Sequence, residues 1–405
     1  MKRDTRLTTA GRDPKANFGI VNPPVYHAST VLFPTLEQLE QASRHREPGK
    51  VYYGRYGTPT TFALEEAIAA LDGGYRAIAV GSGVAAISAT LAAFLKEGDH
   101  LLMVDNVYGP SRRICNQFLG RFGVSTTYYD PLIGGGIAKL IQPNTRLIFL
   151  ESPGSLTFEV QDVPAIVAAA KKAGIVTILD NTWATPLYFR PLAFGVDVAI
   201  QAATKYIGGH SDLMMGIITT TEEAYQPVRL SVNDFGCASG PDDCYLALRG
   251  LRTLSVRLAR HWETGLTLAR WLKPQPEVQR ILHPALPDDP GHALWRRDFT
   301  GATGLFGFEI KPTSRQGLAA MLDGMELFGM GYSWGGFESL LLPTDPAPIR
   351  SATKWSAAGP LLRLHAGLED PDDLIADLER GFERMHAAEG RGQRKTIKWP
   401  AAQEP

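Results

Sequence analysis

The sequence predicts an α/β fold, in which a large domain with a mostly parallel sheet is followed by a smaller α+β C-terminal domain. The chain has 405 residues, which is enough for two domains of ordinary size. From about residue 61, short apolar runs alternate with stretches of helical periodicity, and beyond about residue 250 this alternation stops. Strands that alternate with helices are typical of a parallel sheet covered by helices on both faces. Ligands of such sheets bind beyond the carboxyl ends of the strands.

The first 60 residues have little periodicity and many turn formers, among them Pro23-Pro24, Pro48-Gly49 and Gly57-Thr58-Pro59. We therefore interpret residues 1–60 as an arm rather than a domain. An arm of this length is expected to wrap a neighbouring subunit or the body of its own.

Residues 61–250 carry the alternating pattern. The apolar spacing predicts helices at 64–71, 85–95 and 163–173, with Gly73-Gly74 and Gly174 as stop signals. Strands are predicted at 78–80, 101–104, 124–129, 147–150, 175–180, just before residue 202 and at 217–220. We interpret this region as the ligand-binding large domain.

Residues 251–390 are predicted to form the small domain. A basic helical stretch through Arg249 and Arg260 leads into it, and strands are predicted at Leu305–Ile310 and Leu361–His365. An amphipathic helix is expected over Asp370–Ala388. Residues 391–405 are interpreted as a flexible tail.

Composition limits the classes of function. The formal net charge is −1, so no broad attraction to nucleic acid or to an anionic membrane is expected. No stretch reaches the ~20 apolar residues that cross a bilayer, and the N-terminus lacks the apolar segment of a signal peptide. The three cysteines, Cys115, Cys237 and Cys244, have neither metal-ligand spacing nor an even count. We expect a cytoplasmic protein without a metal site or disulfides.

An aspartate and a lysine end two successive predicted strands. Asp180 closes the first strand, and Lys205 follows the second in the segment Gln201-Ala202-Ala203-Thr204-Lys205-Tyr206. Pyridoxal phosphate needs such a pair, because an amine binds its aldehyde and an anion keeps its ring nitrogen protonated. A lysine in a desolvated pocket also has a lowered pKa and becomes a nucleophile. The pair predicts a pyridoxal phosphate site with Asp180 and Lys205 as catalytic residues.

A glycine-rich turn, Gly81-Ser82-Gly83-Val84-Ala85-Ala86, joins a predicted strand to a predicted helix. It fits a dinucleotide-binding pattern, with Asp105 ending the next strand, and an NAD-dependent enzyme is therefore an alternative. The same geometry suits any phosphate, because free N–H groups at a helix start face the anion.

Two further side chains are candidates for the site. Tyr108 follows the strand that ends at Asp105, where its ring could stack on a cofactor or simply pack. Arg363 is a charge inside an apolar strand, which is costly unless the charge is paired. Its partner is either a structural carboxylate or the carboxylate of a substrate, which an arginine binds with two parallel hydrogen bonds.

Four segments resemble the Cys/Met-metabolism pyridoxal-phosphate enzymes, and the similarity covers nearly all of residues 4 to 388. The segments are Asp180-Asn181-Thr182-Trp183, Gln201 to Tyr206, Tyr332-Ser333-Trp334-Gly335-Gly336-Phe337-Glu338-Ser339-Leu340 and Leu362-Arg363-Leu364-His365-Ala366-Gly367-Leu368-Glu369-Asp370. The resemblance implies a fold-type I, transferase-like subunit that binds pyridoxal 5'-phosphate and forms a homo-oligomer, usually a tetramer of two active dimers.

The resemblance also assigns roles to individual residues. Lys205 matches the Schiff-base lysine, Asp180 the partner of the ring nitrogen and Tyr108 the stacking tyrosine, which is also expected to take part in catalysis. The other implied contacts are with the phosphate (Gly83, Val84 and Thr204), the phosphate of the neighbouring subunit (Tyr53 and Arg55) and the substrate (Arg363, Ser333, Trp334 and Tyr332). Ala202 stands where many relatives carry serine.

Within the family, Trp334 beside Ser333 is typical of the cystathionine β-lyases, whereas the γ-enzymes tend to carry a smaller aliphatic residue there. The expected reaction is β-elimination on L-cystathionine to homocysteine, pyruvate and ammonia, a step of methionine biosynthesis. A γ-lyase or γ-synthase activity, or a broader cysteine-S-conjugate β-lyase activity, is the alternative within the family.

Overall fold

The computed structural model describes residues 1–44 and 48–392. Its larger sheet has seven strands, β1 Arg76–Val80, β2 His100–Val104, β3 Ser125–Tyr129, β4 Thr145–Glu151, β5 Val176–Asp180, β6 Val198–Ala202 and β7 Gly216–Thr220. Their order is β1-β7-β6-β5-β4-β2-β3. Strand β7 is antiparallel to both neighbours, and the pairs among β6, β5, β4, β2 and β3 are all parallel. The predicted, mostly parallel sheet is confirmed.

Helices surround this sheet because its inner strands are apolar on both faces, whereas the edge strand β3 is polar and only partly buried. The helices of the first two thirds of the chain are α1 Arg3–Thr9, α2 Leu36–Arg44, α3 Pro59–Asp72, α4 Gly83–Phe94, α5 Gly109–Arg113, α6 Val163–Lys172, α7 Thr185–Tyr188, α8 Glu222–Asp234 and α9 Pro241–Arg252. Strand β2 is buried at every position. Such strands are usual in parallel sheets that helices cover on both faces.

The second sheet is antiparallel and has its own hydrophobic cluster. Its strands are β8 Val278–Leu282, β9 Leu305–Ile310, β10 Leu340–Thr344 and β11 Leu361–His365, in the order β10-β11-β9-β8. Around it lie α10 Leu254–Leu272, α12 Arg315–Asp323 and α13 Pro371–Ala388, whereas α11 His292–Asp298 packs Leu294 and Trp295 on the cluster of the large sheet. The strands expected at Leu305–Ile310 and Leu361–His365 and the last helix are present. Residues 393–405 of the predicted tail lie outside the described residues.

The arm is more regular than its sequence indicates, because it contains α1 and α2. Helix α1 packs on the body of its own subunit, where Leu7 is buried and Arg252 donates hydrogen bonds to the carbonyls of Leu7 and Ala10, both at 2.7 Å. Leu7 is the one buried residue of α1, and α2 has none, so neither helix is held by a continuous buried face. The spacing of Leu36 and Leu39 on one face of α2 was nevertheless a usable helical signal.

Within residues 1–44 and 48–392, the helices are too short or too polar to cross a membrane. Across the same residues, histidine, cysteine and acidic side chains form no group that could hold a metal ion. The three cysteines are free thiols.

Candidate active site

Asp180 and Lys205 lie at the carboxyl ends of neighbouring strands, because β5 pairs with β6 in parallel. Asp180 Oδ1 accepts hydrogen bonds from the backbone N–H of Thr182 at 2.9 Å and from its hydroxyl at 2.5 Å. The Thr182 hydroxyl oxygen in turn accepts the N–H of Ala202 at 2.9 Å. The end of β5 is therefore tied to the end of β6, and within the described chain Oδ2 of Asp180 remains available as an acceptor.

Burial sets the electrostatics of both groups. It raises the pKa of the Asp180 carboxyl, and the Thr182 hydrogen bonds and the charge of Lys205 offset only part of this effect. Burial also lowers the pKa of Lys205 to about 8, with a further contribution from the nearby charge of Arg363. A much larger fraction of Lys205 is therefore neutral near pH 8 than for an ordinary lysine.

The amine of Lys205 is oriented by the segment that precedes β10 of the small sheet. Its Nζ donates a hydrogen bond to Ser333 Oγ at 2.6 Å and lies 5.4 Å from the ring centroid of Trp334. Ser333 has a φ of +94°, a conformation that costs a non-glycine residue about 1–3 kcal/mol and often occurs at functional sites. Gly335 approaches Lys205 so closely that a Cβ would lie 2.9 Å from the Lys205 carbonyl carbon.

Arg363 lies on β11, and its Nη2 donates a hydrogen bond to the carbonyl of Ser333 at 2.9 Å. Across the described chain, no carboxylate forms an ion pair with Arg363, so the structural salt bridge considered from the sequence is not found there. Burial lowers its pKa, opposed by the nearby phenols of Tyr108 and Tyr332. Arg363 therefore has guanidinium donors available for a ligand carboxylate. The side chain of Tyr332 is itself 93% exposed.

Tyr108 immediately precedes α5, and its backbone N–H donates a hydrogen bond to Glu151 Oε2 at 2.8 Å. The residue is 43% exposed. Its pKa is raised, first by burial and then by the charges of Asp180 and Glu151. Asp180 and Glu151 are the last residues of the neighbouring strands β5 and β4, and the charge of Arg363 lowers the pKa of the same phenol. Tyr108 therefore lies near both Asp180 and Arg363.

The glycine turn makes a cradle at the start of α4. Ser82 caps this helix by accepting the N–H of Ala85 at 3.0 Å, and the N–H groups of Gly83 and Val84 belong to the first turn, which has no intrahelical acceptor. A Cβ at Gly83 would lie 2.8 Å from the Ala202 Cβ, so only glycine fits this close to the end of β6. Such N–H groups bind phosphate well.

Thr204, the third residue expected at the phosphate, bonds the loop before β7. Its hydroxyl donates to the carbonyl of Met215 at 3.2 Å and accepts the N–H of the same residue at 2.9 Å. The residues present therefore fit pyridoxal phosphate. An available carboxylate oxygen, a half-buried amine and a helix start lie at one edge of the sheet.

Tyr53 and Arg55 are not brought to this site within one subunit. Arg55 donates hydrogen bonds to the Asn233 carbonyl at 2.8 Å and to the Tyr56 hydroxyl at 2.9 Å, at the end of α8. Tyr53 is 41% exposed. Their expected contact with a neighbouring subunit stays a prediction.

The alternative of an NAD-dependent enzyme is wrong. A dinucleotide fold needs the strands before and after the glycine turn side by side, whereas four strands separate β1 from β2. Asp105 is also fully buried, and it accepts hydrogen bonds from Arg112, Ser351 and Thr353 instead of facing a ribose.

The interpretation of the sequence missed several contributors to the site. Thr182 and Gly335 lie inside the quoted motifs, so their proximity to Asp180 and Lys205 could have been found. Glu151 lies just past the predicted end of its strand, where a carboxylate at a strand end was a usable signal.

Comparisons with known proteins agree with this geometry. The family described as Cys/Met metabolism PLP-dependent enzyme matches residues 4–383. The chain is 46% identical over 390 residues to the cystathionine β-lyase MetC of Escherichia coli, covering 95% of this chain and 99% of that protein. It is 42% identical over 396 residues to an L-alanine/L-glutamate racemase of Wolbachia pipientis, covering 95% and 98% respectively.

Among solved structures, the chain resembles cystathionine γ-synthase from Xanthomonas oryzae, determined in complex with aminoacrylate and cysteine. The TM-score is 0.87 and the identity 31%, covering 96% of this chain and 99% of that one. The match of a family over nearly the whole chain agrees with a site that fits pyridoxal phosphate. The chain therefore belongs to the family of Cys/Met metabolism PLP-dependent enzymes.

Proposed function

We propose that this enzyme is a PLP-dependent carbon–sulfur lyase that cleaves L-cystathionine by β-elimination to homocysteine, pyruvate and ammonia, in methionine biosynthesis. The observation that carries the proposal is the placement of the Lys205 amine, 2.6 Å from Ser333 Oγ and beside Trp334. The identity of 46% to a cystathionine β-lyase supports it.

Bound pyridoxal phosphate supplies an electron sink that makes the Cα–H bond of an amino acid acidic. Asp180 would hold the ring nitrogen through its available Oδ2, while Gly83, Val84 and Thr204 would hold the phosphate. Arg363 binds the substrate carboxylate and, through the Ser333 carbonyl, keeps it at a fixed distance from the base.

Lys205 takes the Cα proton. Its lowered pKa leaves much of the amine neutral near pH 8, which is the form that can act as a base. The electron pair of the Cα–H bond then forms a Cα=Cβ double bond while the Cβ–S bond breaks, and the electron pair of the Cβ–S bond leaves with the sulfur. The released 2-aminoacrylate takes up water and yields pyruvate and ammonia. The homocysteine thiolate is protonated either by Lys205, which returns the proton it took, or by the Tyr108 phenol. Because its pKa is raised, Tyr108 keeps its proton at neutral pH.

The second part of the proposal concerns assembly as a homotetramer of two active dimers. Arm residues 15–40 expose large apolar side chains, with Phe18 98% and Leu32 88% exposed. This exposure supports an interface in which another copy of the chain covers the arm. Tyr53 and Arg55 would then serve the neighbouring site. Mixing the inactive variants Lys205→Ala and Arg55→Ala should restore part of the activity, and a mixture without activity would contradict this arrangement.

The expected location in the cytoplasm and the domain boundaries at residues 60, 250 and 390 remain parts of the proposal. The two hydrophobic clusters support a division into two domains. Among the described residues, the buried members of the cluster at the small sheet begin at Leu268, and Leu266 packs against them.

Amino-acid racemisation is a second candidate function, favoured by the identity of 42% to an alanine and glutamate racemase. It uses the same removal of the Cα proton and needs protonation from the opposite side, for which Tyr108 is a candidate donor. Incubation with L-alanine and chiral analysis for D-alanine tests it.

The decisive experiment for the main proposal is incubation of the holoenzyme with L-cystathionine and identification of the keto acid. Pyruvate with homocysteine supports β-elimination. Formation of 2-oxobutyrate with cysteine would instead indicate a γ-lyase, and a higher kcat/KM on other cysteine S-conjugates would indicate a broader β-lyase.

A further inference from the structure

We propose that Glu151 is a positioning residue of the active site, which fixes Tyr108 and leaves Asp180 as the one carboxylate that serves the cofactor ring. The inference rests on the roles proposed above for Tyr108 and Asp180. Strand register, one hydrogen bond and the charges around the partly buried Glu151 carboxyl support it.

Strand register places Glu151 beside Asp180. The two residues are paired partners on β4 and β5 and are the last residues of both strands. Side chains paired across parallel strands extend to the same face of the sheet. Glu151 therefore reaches the same end of the sheet as the proposed partner of the ring nitrogen.

The carboxyl of Glu151 holds the backbone of Tyr108. Glu151 Oε2 accepts the N–H of Tyr108 at 2.8 Å, across 43 residues of sequence. Tyr108 begins the turn into α5, so this bond fixes the point from which its ring extends. Loss of the bond would leave a backbone N–H without its acceptor and would free the turn.

The charged groups near Asp180 differ from those near Glu151, so the two carboxyls favour different protonation states. Asp180 has the Thr182 hydroxyl and the charge of Lys205 nearby, whereas Glu151 is affected by backbone N–H groups and by the charge of Asp180. Burial and that neighbouring charge raise the pKa of Glu151 well above its usual range. Two adjacent buried carboxylates repel each other, so the one without a cation is the one that keeps its proton.

A neutral Glu151 has a specific consequence. The site then presents a single negative charge to the ring nitrogen, from Asp180, while Glu151 acts as an uncharged acceptor for Tyr108. Glutamine can take over that acceptor role because its amide is neutral and similar in shape, whereas leucine fills the space without any polar atom.

The test compares Glu151→Gln with Glu151→Leu by titrating cofactor-free protein with pyridoxal phosphate. We expect Glu151→Leu to raise the Kd about tenfold or more, as loss of a buried hydrogen bond does, and Glu151→Gln to raise it much less. The pH at which the absorbance of the bound cofactor changes should move in Glu151→Leu. A wild-type Kd and wild-type absorbance in Glu151→Leu would overturn the inference, as would equal losses in both variants.

Asp197→Leu is the matched control. Asp197 is, like Glu151, a partly buried carboxyl of the large sheet that accepts a backbone N–H, from Thr177 at 2.8 Å, but it lies at the amino ends of β5 and β6, opposite the edge that carries Asp180. The variant should lower the thermal midpoint of the cofactor-free protein without moving the Kd. An equal rise of the Kd in Asp197→Leu would reduce Glu151 to a structural role and overturn the inference.

Asp180→Asn separates this inference from the function on which it rests. If Asp180→Asn leaves cofactor binding and absorbance unchanged, the proposed role of Asp180 fails. If Asp180→Asn weakens binding while Glu151→Leu does not, the inference about Glu151 alone fails.

Discussion

The amine of Lys205 donates a hydrogen bond to the hydroxyl of Ser333 at 2.6 Å, across 128 residues of sequence. Lys205 follows a strand of the large sheet, and Ser333 precedes a strand of the small one. The carbonyl of Ser333 also accepts a hydrogen bond from Arg363 at 2.9 Å. One strained residue therefore sets the spacing between the proposed base and the proposed carboxylate receptor.

Lys205→Ala should abolish turnover of L-cystathionine, because the substitution removes the amine proposed both to bind the cofactor and to act as the base. The base alone is expected to contribute roughly 10²–10⁴-fold. Pyruvate formation and the visible absorbance of the protein measure the effect. Lys172→Ala, at the exposed end of α6, is the control, and pyruvate release retained in Lys205→Ala would contradict the assignment.

The titration of Lys205 can be measured without the cofactor, through the pH dependence of its acetylation followed by mass spectrometry. Half of the maximal rate is expected near pH 8, since the pKa of this amine is lowered to about 8. In Arg363→Met the midpoint should move upward, because a neighbouring cation that disfavours the ammonium form is removed. A midpoint at the ordinary value of ~10.4 in the wild type would refute the burial argument.

Arg363→Lys should mainly weaken substrate capture, because an ammonium cannot form two parallel hydrogen bonds with a carboxylate. The value of kcat/KM is expected to fall about 10–100-fold, chiefly through KM, as for the loss of a charge-assisted hydrogen bond. Arg280→Lys is a suitable control, since this arginine of the same sheet already pairs with Glu309 at 2.7 Å. Kinetics equal to those of the wild type would exclude Arg363 as the carboxylate receptor.

Trp334→Leu tests the sequence argument for the β-lyase branch. The indole packs on Tyr206, with ring centroids 5.3 Å apart, and lies beside the Lys205 amine. A smaller side chain gives this amine more room, so the ratio of 2-oxobutyrate to pyruvate from L-cystathionine should rise. Trp355→Leu, under Arg280 on another loop, serves as the comparison. An unchanged ratio would remove Trp334 as a determinant of the reaction.

Asp72→Asn should stabilise the protein more at pH 8 than at pH 5. Burial raises the pKa of this carboxyl to about 7, offset in part by the Thr219 hydroxyl, which donates to it at 2.6 Å. Between pH 4 and 7 the unfolded chain has lost a proton that the native state keeps, so stability falls as the pH rises through this window.

Asparagine has no proton to lose, and the advantage of the Asp72→Asn variant should reach about 1–4 kcal/mol above pH 7. Urea unfolding at pH 5 and pH 8 measures the difference. Asp323→Asn at the exposed end of α12 should show none. The same advantage of Asp72→Asn at both pH values would show that this carboxyl is ionised throughout.

Local pattern predicted much of this protein. The periodicity of apolar residues and the stop signals predicted the strands that end at Asp180 and Ala202, the helix that ends before Gly73 and the strands at 305–310 and 361–365. These signals are local and do not depend on tertiary contacts. The pair of Asp180 and Lys205 followed, because parallel strands bring their carboxyl ends to one edge.

The sequence by itself determined the α/β class, the placement of Asp180 and Lys205 at two strand ends and the family. Tertiary structure alone decided the strand order that separates β1 from β2 and excludes a dinucleotide site. It also decided the contact of Lys205 with Ser333 and the pairing of Glu151 with Asp180. These contacts join residues that are far apart in the chain. The order of the strands and the packing of the two sheets bring them together, and the local spacing of residues does not encode either feature.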